Sequence, residues 1–245
     1  YRAMEHCRYK YNALARGFVT KRSHTLGLIL PTITNPIFAE STRGVQDLAN
    51  VKGYQVILAN SYYRYEKEAK LVDVLRERQV EGLLITTTNL QGKILKGLLN
   101  EGFPFVLLYS TLRKGPISSV GVDNFLGGYR ATEHLIGLDH RQIGMLAGGF
   151  HFSDRSFHRW YGYRRCLKDH HNIPYNPELV IQTDYSLTNG REGVKSLLSL
   201  KNPPTSIFCS NDFLAVGAMQ GARDLGINVP EDLSVVGFDD MQIAS

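Results

Sequence analysis

Polar and aromatic residues recur directly after the short apolar runs of this chain, and their types are those that hold a small polar ligand. Thr32, Thr34, Asn35, Ile37 and Phe38 follow the run Leu26–Leu30, and Tyr109 and Ser110 close and follow Phe105–Tyr109. Asp154, Arg155 and Arg159 come after Ile143–Ala147, and Asp184 and Tyr185 after Leu179–Gln182. Asn211 and Asp212 follow Ser206–Cys209, and Asp239 and Asp240 follow Val235–Phe238. Amide, guanidinium and carboxylate groups make directed hydrogen bonds to hydroxyls or ring nitrogens, and an aromatic face stacks on a ring. Each residue also has a purely structural reading. Asn211 or Asp212 can cap the helix that follows. Asp239-Asp240 can be a turn or cap pair, Arg159 can sit on a solvated helix face, and Tyr185 can belong to the core. Recurrence at the same end of successive strands favours the binding role.

The catalytic alternatives lack their residues. The eight histidines show no H-E-x-x-H spacing and no regular pairing with cysteine. There is no G-x-S-x-G elbow and no P-loop, and Gly148-Gly149 is not a dinucleotide fingerprint. No catalytic residue, metal ligand or cofactor is therefore assigned, and the chain is not expected to be an enzyme.

The elements that carry these residues alternate regularly. The apolar runs predict strands at Leu26–Leu30, Tyr54–Ala59, Val80–Thr86, Phe105–Tyr109, Ser119–Val122, Ile143–Ala147, Leu179–Gln182, Ser206–Cys209 and Val235–Phe238. Amphipathic stretches between them predict helices near Ile37–Val51, Arg64–Arg78, Leu90–Asn100, Gly127–Leu138, Trp160–His170, Asn189–Leu200 and Asp212–Asp224. Such alternation implies parallel sheets covered on both faces. The pattern also repeats. His24–Pro31 is echoed by His140–Ala147, Gln55–Ser61 by Leu179–Ser186, Val80–Thr86 by Thr205–Ser210, and Pro104–Tyr109 by Leu233–Phe238. The fold class is α/β, with two doubly wound lobes of parallel sheet after a helical N-terminal segment. The division expected is 1–24, 25–122 and 123–245. Ligands in such folds sit beyond the C-terminal strand ends, so two facing lobes make a cleft.

Charge is concentrated at the start. Arg2, Arg8, Lys10, Arg16, Lys21 and Arg22 against Glu5 account for the whole net charge of +5, which leaves a neutral body. A basic arm of this kind suits a polyanion contact, because cations that neutralise phosphates release counterions; a solvated terminal charge run is the plainer reading. The three cysteines are odd in number and widely spaced, which points to a reducing compartment. No apolar run approaches the ~18–20 residues of a spanning helix, and no secretory signal is present, so a cytoplasmic location is expected.

Asn12–Arg16, Asn35–Glu40, Val122–Asn124 with Gly127-Gly128, Ser210–Asp212 and Val235–Asp240 form an ordered set. On these motifs the chain resembles the lactose-repressor/purine-repressor family of bacterial transcription regulators, over essentially its whole length. The resemblance implies a helix-turn-helix headpiece, a hinge helix folding in the operator minor groove, and an effector domain like the periplasmic sugar-binding proteins, paired in a homodimer. It implies DNA contacts from the hinge, here Asn12, Arg16 and Phe18. Phe18 stands where the family usually has a leucine that wedges between base pairs, and Tyr11 where it usually has proline. It further implies effector contacts by Ile37, Phe38, Arg159, Tyr185, Asn211 and Asp239, with Asp123 also in the family motif. The implied partners are operator DNA with an inverted repeat and a small effector, a sugar or sugar derivative in preference to a purine; no membrane is involved. The recognition helix and a closing C-terminal helix are expected to lie outside this sequence. A sugar-binding protein of a transport system is the competing reading.

Overall fold

In a computed structural model, residues 22–112, 115–170 and 173–244 are described. The hinge-segment residues Asn12, Arg16 and Phe18 lie outside them. The chain folds into two compact units. The first comprises the described residues up to Thr34, then Phe38–Leu107 and Pro116–Ser118; the second comprises Asn35–Ile37, Leu108–Gly115 and the rest from Ser119.

The first unit alternates β1 (Thr25–Leu30), α1 (Pro36–Val51), β2 (Gln55–Asn60), α2 (Tyr65–Glu77), β3 (Gly82–Ile85), α3 (Lys93–Asn100) and β4 (Phe105–Leu108). The strands run parallel in the order β2-β1-β3-β4, and the two-residue β5 (Ser119–Val120) extends the edge beside β4. Leu28, Ile29 and Leu30 of the central β1 are essentially inaccessible, as a strand covered on both faces requires. Edge strand β2 instead alternates exposed and part-buried residues over its first half. Glu68 of α2 is fully buried and accepts from the Thr87 hydroxyl at 2.6 Å and the Thr88 N–H at 2.9 Å, fixing the helix to the loop after β3.

The second unit contains α4 (Asn124–Gly137), β6 (Ile143–Gly148), α5 (Asp154–Asp169), β7 (Val180–Thr183), α6 (Leu187–Leu198), β8 (Ser206–Cys209), α7 (Asp212–Asp224) and β9 (Ser234–Val236). Its sheet is parallel with the order β7-β6-β8-β9, the same winding as the first. The internal repeat read from the sequence is therefore a repeat of topology. One face of this sheet packs Leu146, Ile207 and Cys209 against Val194 and Leu197 of α6 and Leu214 and Ala218 of α7. The other packs Ile143, Met145 and Phe208 against Leu135 of α4 and Tyr163 and Cys166 of α5. Each of its four helices starts on a side-chain cap. Asp123 accepts from Leu126 N–H, Ser153 from Ser156, Ser186 from Asn189 and Asn211 from Leu214.

Three boundaries differ from expectation in ways that matter. Helix α5 begins at Asp154, six residues before the expected Trp160, because the Ser153 hydroxyl caps it there. This places Arg155 and Arg159 one turn apart on one helix. Strands β4 and β9 end before Tyr109 and Phe238. Tyr109 (φ 66°) and Asp239 (φ 102°) adopt left-handed backbone conformations, which a strand does not accommodate. No helix among the described residues is long and apolar enough to cross a membrane.

Candidate functional site

The C-terminal strand ends of the second unit converge on Arg159. Its side chain is 8% exposed, and three of its nitrogens are hydrogen bonded. Nε donates to Asn124 Oδ1 at 2.9 Å, Nη1 donates to the Ser210 carbonyl, and Nη2 donates to Asp239 Oδ1 at 3.1 Å. The guanidinium carbon lies 3.6 Å from the centroid of the Phe238 ring, a cation–π contact. One helix thus ties together the start of α4, the end of β8 and the turn after β9.

The carboxylates around this node are held in low-dielectric surroundings. Burial pushes the Asp239 carboxyl above its ordinary value, while the charge and hydrogen bond of Arg159 pull it back and Asp212 pushes it further up. Asp212 is also raised by burial, against the hydrogen bond from the Met241 N–H at 2.7 Å. That bond anchors the loop carrying Asp239. A Cβ at Gly237 would run into the same carboxylate, so the loop is packed against Asp212 through a residue with no side chain.

Of the two capping candidates after β8, Asn211 is the one that caps α7, and Asp212 is the first residue of that helix. Asn211 caps α7, its Oδ1 accepting from Leu214 N–H at 3.0 Å, while its Nδ2 is buried without a hydrogen-bond partner. A capping acceptor and a buried amide donor without a hydrogen bond therefore coexist in one side chain. Tyr185, half-buried, leans against the cluster of α6 and α7, and its phenol end occupies the space a Cβ would fill at Gly148, at the end of β6. Of the expected effector residues, Arg159 and Asp239 are brought into direct contact, and Asn211 follows the residue whose carbonyl Arg159 holds. Ile37 and Phe38 open α1, where Ile37 N–H donates to Asn35 Oδ1 at 3.1 Å and Phe38 is buried. Asp123 caps α4, accepting from Leu126 N–H at 3.0 Å.

Sequence reasoning missed three partners of Arg159. Asn124 and Phe238 lie inside the motifs Val122–Asn124 and Val235–Asp240, so their place in the chain is visible while their role is not. The Ser210 carbonyl leaves no trace in residue type. The two described cysteines offer no nucleophile. Burial raises both thiols, Cys166 to about 12, with Cys209 raised further.

Residues 23–245 match the family described as periplasmic binding proteins and sugar binding domain of the LacI family. The chain is 32% identical over 242 residues to the catabolite control protein A of Priestia megaterium, which covers 99% of this chain and 73% of that protein. Among solved structures it is similar to the transcription regulator CcpA of Lactococcus lactis, with a TM-score of 0.78 and 34% identity over 89% of this chain and 79% of that one. It is also similar to a LacI-family transcriptional regulator of Enterococcus faecium with bound ribose, with a TM-score of 0.76 and 29% identity over 89% and 79% of the two chains.

Proposed function

This chain belongs to the LacI family of transcription regulators, and on that basis we propose that its second unit receives a small sugar-like effector through Arg159, Tyr185, Asn211 and Asp239. Regulators of this family bind operator DNA and small-molecule effectors, and the relatives are regulators rather than transport or catalytic proteins. The observation that carries the site reading is the Arg159 node. A guanidinium and a carboxylate fixed by each other and by the fold present preset acceptors and donors, so a ligand need not order them. Asp239 accepts when ionised, which suits a ligand rich in hydroxyl donors. Ile37 and Phe38 are the effector contacts proposed from the start of α1. The ribose held by the Enterococcus faecium relative supports a sugar in preference to a purine.

The remaining assignments rest on the resemblance. Two chains pair, with α1 and α2 of the first unit contributing; Leu48, Val51 and Val74 are exposed there and supply apolar surface for it. The paired chains read an inverted-repeat operator, because two-fold proteins read two-fold sites. Asn12, Arg16 and Phe18 contact the DNA, and the protein works in the cytoplasm, where that DNA is. The domain division is 1–24, 25–122 and 123–245. Ligand stabilises one arrangement of the effector domain, and the paired hinge segments read it out.

The test is operator binding by the full-length regulator, followed by fluorescence anisotropy on an inverted-repeat duplex. Asp239→Asn should abolish the change in operator affinity that a sugar panel produces in the parent protein, while sedimentation still shows a dimer. An unchanged sugar response in Asp239→Asn would remove Asp239 from the effector site.

A further inference from the structure

Helix α5 carries more positive charge than nearby carboxylates match. Arg155, Arg159, Arg164, Arg165 and Lys168 stand on it against Asp154 and Asp169. Three of these cations have carboxylate partners. Arg155 lies 3.6 Å from Asp154, Arg159 bonds Asp239 at 3.1 Å, and Arg165 donates to Asp169 at 2.8 Å. Arg164 and Lys168 have no carboxylate partner among the described residues. The two are four positions apart, so they share one face of the helix. At about 3.6 residues per turn, that face is turned away from the one bearing Arg155 and Arg159. Like charges at this spacing cost helix stability, and an anion from outside the chain relieves them.

Both unmatched cations line one cavity of about 470 Å³, between α5 and the segment that leads into β7. Small-molecule sites run from about 300 to 1,000 Å³. The Arg164 guanidinium lies over two rings, 5.6 Å from the Trp160 centroid and 5.2 Å from that of Tyr175. Trp160 Nε1 donates to the Tyr175 hydroxyl at 3.2 Å, which ties the two rings together. Stacking of this kind holds a guanidinium in place without consuming its N–H donors. Tyr161 also lines the cavity and is 46% exposed. Its ring is set by Phe125, with centroids 5.5 Å apart, and by stacking on Phe157 at 6.4 Å. Ile173 and Pro174 supply the apolar part of the lining. Two free cations, a preset ring and an apolar wall therefore meet in a space of ligand size.

We propose that this cavity is a second ligand site of the unit and that it takes a phosphate monoester with a ring in its organic body. The phosphate sits on Arg164 and Lys168, and the ring lies against Tyr161, Ile173 and Pro174. A phosphate monoester carries roughly −1.5 to −2 charges near neutral pH, which matches two cations. A guanidinium fork receives two of its oxygens at once, and the lysine adds a point charge. The apolar wall separates such an ester from inorganic phosphate, which has nothing to bury there. This site lies apart from the effector site proposed above and does not rest on it.

The experiment is isothermal titration calorimetry on the intact protein at constant ionic strength, with Trp160 emission as a second readout. Adenosine monophosphate and phenyl phosphate are compared with adenosine, phenol and inorganic phosphate. At least one ester should bind more than about tenfold tighter than either of its parts. Arg164→Gln should erase that preference, and Arg164→Lys should restore part of it. Lys168→Gln tests the same point without altering the ring stack of Arg164, and it too should lower the affinity for the ester. Far-ultraviolet dichroism shows whether each variant is folded. Inorganic phosphate binding as tightly as the esters overturns the proposal, as does adenosine or phenol doing so. So does a preference that survives both Arg164→Gln and Lys168→Gln, because the ester then binds elsewhere. Esters that give neither heat nor a change in emission up to about 10 mM overturn it as well.

Discussion

The two units share one strand order and use it differently. In the first, the helix glycines Gly44 and Gly97 face open space, and neither α2 nor α3 has a side-chain cap. In the second, a Cβ at Gly128 would meet the Arg159 carbonyl and a Cβ at Gly162 would meet the Phe125 carbonyl, so α4 and α5 approach backbone to backbone. The buried charges differ as well. Glu68 of the first unit accepts from the Thr87 hydroxyl and the Thr88 N–H, whereas Arg159 and Asp239 of the second pair with each other. Winding order is thus a common scaffold. Helix spacing and the pairing of buried charge decide whether a unit holds an ionic site in fixed geometry.

The strongest way to break this comparison is to remove one partner of the ion pair. Asp239→Ala leaves Arg159 buried with an empty donor and should cost about 3–5 kcal/mol of stability, the range for breaking a buried pair. Glu68→Gln in the first unit keeps an acceptor for neutral donors and should cost about 1–2 kcal/mol. Urea denaturation, followed by far-ultraviolet dichroism for both units and by the sole tryptophan, Trp160, for the second, compares them. Equal losses would show that the ionic node is no more critical than the neutral one.

A smaller contrast uses one residue type in two settings. Gly162→Ala forces a methyl group onto backbone and should destabilise by about 1–3 kcal/mol, the cost of overpacking. Gly44→Ala meets nothing within 4 Å on a helix surface and should stabilise by about 0.4–1 kcal/mol. Thermal melts of the two variants should therefore shift in opposite directions. A tolerated alanine at Gly162 would mean that α4 and α5 can separate at little cost.

The smallest effect is one of sign with pH. Glu81 of the first unit is held below its ordinary value of 4.5, chiefly by the hydrogen bond from His24 N–H at 2.7 Å. Its contribution is present above that value and is lost as pH falls through the lower folded one. Asp212 and Asp239 are held above 3.8 by burial. Their charged forms oppose folding, so the second unit loses stability as pH rises from 3.8 through the raised values and regains it on acidification. Between about pH 3 and 6, Glu81→Gln should flatten an acid-side loss and Asp212→Asn should flatten an acid-side gain, each read as the variant's melting profile minus that of the parent. Matching slopes would erase the distinction.

The strands and their repeat are legible in the sequence because buried parallel strands are continuous apolar runs, and all nine occur in the expected order. Helix α7 is legible to the residue, because Asp212 begins an unbroken amphipathic pattern. The start of α5 is not. Asp154–His158 is polar enough to pass for loop, and only the cap made by Ser153 reveals a helix there. The site is half visible for the same reason. Arg159 and Asp239 stand at strand ends, and the Asp239-Asp240 pair is legible as a candidate turn, but the bond that this left-handed turn makes to Arg159 is not. Arg155 stands among the strand-end residues too. Its ion pair with the neighbouring Asp154 and its burial are properties of the folded helix and not of spacing.

The bonds of Arg159 span 35, 51 and 80 residues of chain. Closing loops of that length is entropically slow, and contacts of such separation form after local helices and neighbouring strands. The node can therefore be completed only when α4, β8 and the turn after β9 have all arrived. Recovery of ligand response during refolding should trail the recovery of helix signal. A chain in which the last of these segments has not docked therefore carries Arg159 without its full set of partners.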